Sequence, residues 1–118
     1  MSEELDRKKK LALMIGLCAR AGKLIYGCDG VCAALAENKR SKTPYLVLEA
    51  TGVSENTHKR LSDKCAYYNV RKEVLPIDPE ELAHATGKVG GLIAALAVTD
   101  EQMSRAVISF LPESQNQS

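Results

Sequence analysis

The chain has 118 residues, of which 45% are hydrophobic and 26% are charged, and its formal net charge is +1. These values are typical of a soluble globular domain and exclude a disordered, collagen-like or disulfide-dense protein. Aromatic residues make up only 4% and Trp is absent, which excludes a recognition surface built on aromatic stacking. We expect a single domain over residues 1–112 and a polar tail over 113–118.

Charge is distributed unevenly along the chain. Residues 1–72 hold 14 basic and 8 acidic side chains, a net of +6, whereas residues 73–118 hold 2 basic and 7 acidic ones, a net of −5. This gradient indicates a cationic face that would concentrate anionic partners such as nucleic acid. The alternative interpretation is an ordinary solvated helix surface.

The first predicted element is a helix over about residues 4–20, ended by Gly22. Its lysines at 8–10 and apolar run 11–19 imitate a signal peptide, but acidic residues precede the lysines. The run is also far shorter than the ~20 residues that span a bilayer. We therefore interpret it as a buried helix of a cytoplasmic protein.

The later elements continue an alternation of strand and helix, each marked by apolar spacing, turn residues or a cap. In chain order we expect a short extended piece at 24–26, a helix over 28–39, a polar turn at 41–43, a buried strand at 45–48, and a helix from the N-cap Ser54 to about Tyr68. A strand within 70–77 follows, in which Pro76 indicates either an edge strand or a proline late in the strand. The last elements are a short helix with an Asp78–Glu81 capping box that ends at Gly87, a buried strand within 92–98, and a helix that opens on a capping box at 99–102 and ends near Leu111.

This order predicts an α/β fold, namely a single-domain three-layer α/β/α sandwich. Because helices alternate with strands at regular spacing, we expect a mixed, mostly parallel four-stranded sheet covered on both faces.

Little in the sequence points to catalysis, a cofactor or a metal. The four cysteines, at 18, 28, 32 and 65, form no Cys-x-x-Cys pair and are remote from both histidines, so we expect reduced thiols. There is no Walker-type loop and no Gly-x-Ser-x-Gly elbow. The glycine-rich loop at 87–91 precedes a strand, so it cannot present a helix N-terminus to a phosphate. We expect a non-enzymatic protein that takes no small-molecule substrate.

Two glycine-bordered segments that carry cations are candidate RNA contacts. The first ends at the start of the second helix, where backbone N–H groups are free and a partial positive charge accumulates. Glycines let a nucleic-acid backbone approach closely, although the same residues also suit plain turns. The candidates are Arg20, Gly22, Lys23, Gly27, Cys28, Asp29 and Gly30 in the first segment, and Lys88, Val89, Gly90 and Gly91 in the second.

Several separate strings of this sequence resemble those of a known family. The strings at 19–27, 54–57, 61–65, 66–70 and 97–100 are similar to segments of YlxQ-like bacterial proteins, a branch of the kink-turn-binding ribosomal protein superfamily. The resemblance covers about residues 8–110. It implies an α/β/α protein that binds sharply bent, structured RNA, with the ribosome or the transcription and translation machinery as candidate partners.

The resemblance also implies roles for individual residues. Lys23 and Gly27 match positions that contact the RNA backbone. Val89 and Gly90 match an apolar loop that packs on flipped-out nucleotides.

Three positions depart from the pattern that the resemblance implies. Asp29, Gly30 and Ala33 stand where the best-known kink-turn binders have Asn, Glu and Lys. Asp29 adds a negative charge facing phosphate, Gly30 lacks a carboxylate for a guanine edge, and Ala33 removes a cation. Two functions remain open: binding of structured RNA, more weakly and by shape, or a protein-interaction adaptor on the same fold with weakened or lost kink-turn recognition.

Overall fold

The computed structural model describes residues 2–37 and 43–111, with side chains from residue 6 onward. Helices and strands alternate through this part of the chain, and the predicted order is confirmed. The elements are α1 (Ser2–Arg20), β1 (Leu24–Tyr26), α2 (Cys28–Glu37), β2 (Leu46–Glu49), α3 (Glu55–Tyr67), β3 (Arg71–Val74), α4 (Pro79–Ala85), β4 (Ala95–Val98) and α5 (Glu101–Ser109). The predicted end of the second helix at 38–39, most of the polar turn at 41–43, and the tail at 113–118 lie outside the described residues.

The four strands form one mixed sheet in the order β1-β4-β2-β3. Only β2 and β3 pair in parallel, whereas β4 is antiparallel to both β1 and β2. The expected mixed, four-stranded sheet is confirmed, and β3 lies at an edge, which is one of the two predicted alternatives. The expectation of mostly parallel pairing is wrong, because two of the three strand pairs are antiparallel.

The reason lies in the connection between β3 and β4. α4 has seven residues and spans only about 10 Å. After α4 and its loop, the chain is still at the end of the sheet where β3 ends, because Ala95, the first residue of β4, pairs with Glu49, the last residue of β2. β1, β2 and β3 therefore all run in one direction, and β4 is inserted between β1 and β2 against them.

Two apolar layers cover the sheet. One joins residues of α1, α4 and α5 to one face, with Leu11, Ile15 and Leu82 fully buried. The other joins α2 and α3 to the opposite face, with Leu61 at its centre. Every residue of β2 and β4 is buried. The three-layer α/β/α arrangement is therefore confirmed.

Side-chain caps begin three of the helices. Ser54 accepts a hydrogen bond from the Thr57 N–H at the start of α3, and the predicted capping box of α4 is present, with Asp78 and Glu81 bonded reciprocally. The predicted opening of α5 is corrected. Its N-cap is Asp100, which accepts from the Met103 N–H, rather than Thr99.

The four thiols are unpaired, and Cys18, Cys32 and Cys65 are buried. Burial raises the pKa of Cys18 and of Cys65 to about 11. In the part of the chain described, none of the helices combines the length and the apolar character needed to cross a bilayer.

Candidate nucleic-acid interface

The turn between β1 and α2 is built around Gly27. Its φ is +85°, a left-handed conformation that favours glycine, and a Cβ atom at this position would meet no atom within 4 Å. Its N–H donates to the Ala95 carbonyl of β4 at 2.8 Å, and its carbonyl accepts from the Val31 N–H at 2.9 Å. Gly27 is thus the residue from which α2 starts, and the N–H groups of the first helical turn have no intrahelical acceptor. The surface over this turn is open.

The loop at 87–91 lies beside this turn. α4 ends on two hydrogen bonds, from the Gly87 N–H to the His84 carbonyl at 3.1 Å and from the Lys88 N–H to the Ala83 carbonyl at 2.8 Å. The Lys88 ammonium then lies 4.5 Å from the centroid of the Tyr26 ring.

Because Tyr26 immediately precedes Gly27, this contact places Lys88 beside the end of β1, where the chain turns into α2. Val89 projects from the loop and is 75% exposed, and Gly90 has a φ of +89°. The structure therefore brings the loop at 87–91 beside the Tyr26–Gly27 end of the first predicted segment.

Arg20 joins this edge and Lys23 does not. Arg20 and Gly87 line the same surface cavity of about 300 Å³ between the ends of α1 and α4. Lys23 is exposed, and its carbonyl accepts from the Thr99 N–H, at the opposite end of β1. Four steps of extended chain separate Lys23 from Gly27, roughly 13 Å. The predicted contact residue Lys23 therefore lies at the start of β1, away from the turn at Gly27.

α3 contributes a cation that the sequence did not predict for this site. Arg60 donates to the Asp29 carboxylate at 2.7 Å and also lies 3.6 Å from the Cys28 sulfur. The negative charge that Asp29 adds at the start of α2 therefore has a cation beside it. Arg60 is separated from Asp29 by 31 positions, and a cation on a predicted helix face carries no sign of such a distant partner.

The remaining candidates have distinct surroundings. Gly30 lies in the first turn of α2, and a Cβ there would be 3.4 Å from the Ile25 side chain, an ordinary contact. Ala33 is exposed one turn further along α2. Burial and the neighbouring Cys32 raise the pKa of Cys28, although the Arg60 guanidinium opposes that shift. Gly22 lies in the turn that ends α1, and Gly91 completes the loop at 87–91.

A buried ion pair lies beneath the interface, at the same end of the sheet. The Glu49 carboxylate, 3% exposed, accepts from the Lys72 ammonium at 2.6 Å and contacts the His58 Nδ1 at 2.6 Å. His58 lies on α3, so its contact with Glu49 joins that helix to the end of β2. In the described residues, no three or more His, Cys, Asp or Glu side chains are grouped as metal ligands would be.

Comparison with solved structures defines the class of protein. The fold matches that of a Bacillus halodurans C protein of unknown function, with a TM-score of 0.75, 28% identity, and coverage of 86% of this chain and 95% of that one. It also matches a Giardia lamblia 15.5kD RNA binding protein, with a TM-score of 0.71 and coverage of 94% and 89%. The identity to the Giardia protein is 12%, which shows a shared fold alone. The chain is thus a small α/β/α protein that shares its fold with the 15.5kD RNA binding protein.

Sequence comparison then identifies the family. The chain is 35% identical over 98 residues to the RNA-binding protein YlxQ of Bacillus subtilis (strain 168), covering 83% of this chain and 91% of that protein. It is 43% identical over 67 residues to the RNA-binding protein YlxQ of Enterococcus faecium, covering 57% and 60%. No family model matches. The chain belongs to the YlxQ family, which confirms the resemblance found in its sequence.

Proposed function

We propose that this protein binds structured RNA through the edge formed by the start of α2 and the loop at 87–91. The single observation that carries the proposal is the contact between Lys88 and Tyr26, because it brings the glycine-rich loop at 87–91 beside the turn at Gly27. The names of the YlxQ relatives, both of which are RNA-binding proteins, support the same function.

The chemistry of this edge suits an RNA backbone that bends sharply. Lys88 and Arg20 supply positive charge, and the first turn of α2 supplies N–H donors for phosphate oxygens. Val89 supplies an exposed apolar side chain on which an unstacked nucleotide can pack. A kink-turn combines a sharp bend with unstacked nucleotides, so we propose it as the RNA class. Ribosomal RNA, as part of the ribosome, is the source we would test first.

Recognition of base edges is expected to be weak. Gly30 and Ala33 lack side chains that could bond to a base, and the Asp29 carboxylate is engaged by Arg60. Arg60 in turn brings a cation to the first turn of α2. This cation lies one helical turn from Ala33, the position at which the best-known kink-turn binders have Lys. We expect binding that depends mainly on RNA shape and on charge, with a steep dependence on salt.

The test is a titration of fluorescently labelled RNAs at several salt concentrations. The RNAs are a kink-turn, the same strands with the bend removed by full pairing, and an unrelated hairpin. We expect the kink-turn to bind most tightly. Lys88→Met should weaken binding to every RNA and reduce the slope of log K against log salt by about 1, because one phosphate contact is lost. Lys64→Met, an exposed cation elsewhere on α3, is the matched control.

Two outcomes would contradict the proposal. Equal and very weak binding of all three RNAs would remove RNA as the partner of this edge. Tight binding that Lys88→Met leaves intact would place the RNA on another surface.

A further inference from the structure

A groove between α1 and α4 adjoins the proposed RNA edge, which it meets at Arg20 and Gly87. Three adjoining cavities of about 340, 370 and 300 Å³ follow one another along the two helices. Ala85 and His84 line all three cavities, and the small residues Ala12 and Gly16 each line two of them, which keeps the floor of the groove open. Gly16 is required there, because a Cβ atom would come within 2.9 Å of the Ala85 carbonyl oxygen. The groove extends from Lys9 to Arg20, about 16 Å along α1.

The rim of the groove on α1 is apolar and unprotected. Leu13 lines the groove and is 65% exposed, and Leu17, one turn further along, is 49% exposed. These are two of the most exposed large aliphatic side chains in the described residues. Leucines at spacing i and i+4 on one helix face, beside a groove, are typical of a surface that receives an amphipathic helix.

Cations outnumber acidic side chains around the groove. Lys9 and Arg20 lie at its two ends, and across the described residues neither has an acidic partner. Lys10 is exposed on the same helix. The acidic side chain in the groove, Glu81, is neutralised by Lys8, whose ammonium lies 2.8 Å from its carboxylate. A partner that fits this surface must carry negative charge beside its apolar residues.

We propose that this groove binds an acidic amphipathic helix of a partner protein. The groove is about as long as three turns of helix, its floor is carbon-rich, and its cations lie at the ends where flanking Glu or Asp side chains would reach them. An RNA strand fits less well, because the floor around Ala12 and Ala85 is mainly carbon and only His84 and Thr86 offer side-chain donors between the cations at its ends. A second copy of this chain would bring Lys9 and Arg20 against themselves. The groove ends at Gly87, so the helix would bind next to the RNA edge without covering Val89.

The experiment uses three probes with the full chain. The first is a cross-linked helical peptide of about 16 residues with leucines on one face and glutamates on both flanks. The second is the same peptide with lysines in place of the glutamates, and the third is a fully paired RNA duplex. Binding is measured by fluorescence anisotropy, and NMR amide shifts locate the bound probe. We expect the acidic peptide alone to shift the amides of Ala12, Leu13 and Ala85.

Variants at exposed positions report on the groove without threatening the fold. Leu13→Ser should weaken the acidic peptide about tenfold, since central apolar residues dominate such interfaces. Leu92→Ser, which removes another exposed leucine outside the groove, should not change it. Lys9→Glu should weaken the peptide several-fold and Lys64→Glu should have no effect. Kink-turn binding, measured on the same samples, should be unaffected by Leu13→Ser.

The other results would overturn the proposal. Binding of the lysine peptide as tight as that of the acidic one would refute the charge argument. Duplex RNA that shifts the groove amides would identify nucleic acid as the occupant. Self-association in sedimentation equilibrium that Leu13→Ser abolishes would identify a second copy. Because RNA binding is scored separately, failure of the groove proposal is distinguishable from failure of the proposed function.

Discussion

Glu49 and Lys72 form a buried ion pair beneath the proposed RNA-binding surface, and replacing Glu49 measures how much this pair stabilises the fold. Glu49→Gln keeps the shape of the side chain and removes its charge, which leaves the Lys72 ammonium, only 12% exposed, facing a neutral amide. At an effective dielectric constant of about 20, opposite charges at the observed 2.6 Å attract by roughly 6 kcal/mol. Part of that attraction offsets the cost of desolvating both groups, so we expect the variant to lose about 3–5 kcal/mol of unfolding free energy.

Urea unfolding followed by circular dichroism measures this loss, and a double-mutant cycle assigns it to the pair. Lys72→Met alone should cost less than Glu49→Gln, because Glu49 retains His58, whose ring is half exposed. The double variant should cost clearly less than the sum of the single changes, since it leaves neither charge buried without a partner.

Two results would refute this reasoning. A Glu49→Gln variant that loses less than about 1 kcal/mol would mean that water reaches Lys72 freely. Strictly additive single changes would mean that the two groups do not interact.

Three further predictions test the turn, the thiols and a helix start. Gly27→Ala should cost about 1–2 kcal/mol in urea unfolding, because alanine is strained at a positive φ, whereas Gly30→Ala, whose φ is not positive, should cost less. At pH 8 iodoacetamide should modify Cys28 first and the three buried thiols only after unfolding, which mass spectrometry of timed samples can check. Lys8 and the Asp78 backbone lower the pKa of the exposed Glu81. The unfolding free energy that the Glu81 carboxylate contributes is therefore present above its ordinary pKa of 4.5 and is lost as the pH falls below it. Glu81→Gln should lower the unfolding free energy by less than about 1 kcal/mol at pH 7 and should make unfolding less sensitive to acid.

Local signals in the sequence accounted for most of the secondary structure. The apolar runs around Leu48 and Leu96 became the two fully buried strands, because a strand covered by helices on both faces needs no polar alternation. Ser54 and Asp78 began helices as predicted, since a side chain that bonds to a nearby N–H acts within four residues. The opening of α5 moved by one residue because Asp100 and Thr99 were both suitable caps.

The candidate site was predictable only as two separate segments. Glycines and lysines near positions 27 and 88 are visible in the sequence, and their side-by-side placement follows from the contact of Lys88 with Tyr26. Arg60 was missed at the start of α2 because its partner lies on another helix. Glu49 ends a strand that reads as wholly apolar, and nothing near it in the chain indicates that Lys72 and His58 surround its carboxylate.

The sequence by itself determined the elements, their order, the three layers and the family, because helix periodicity, caps and family strings act over a few residues. Tertiary structure decided the strand order, the direction of β4 relative to its neighbours, and which charges meet. These depend on how a short α4 and its loop return the chain to the sheet, and on contacts between residues 23 to 62 positions apart. No local pattern carries that information, since such contacts form only when the layers pack.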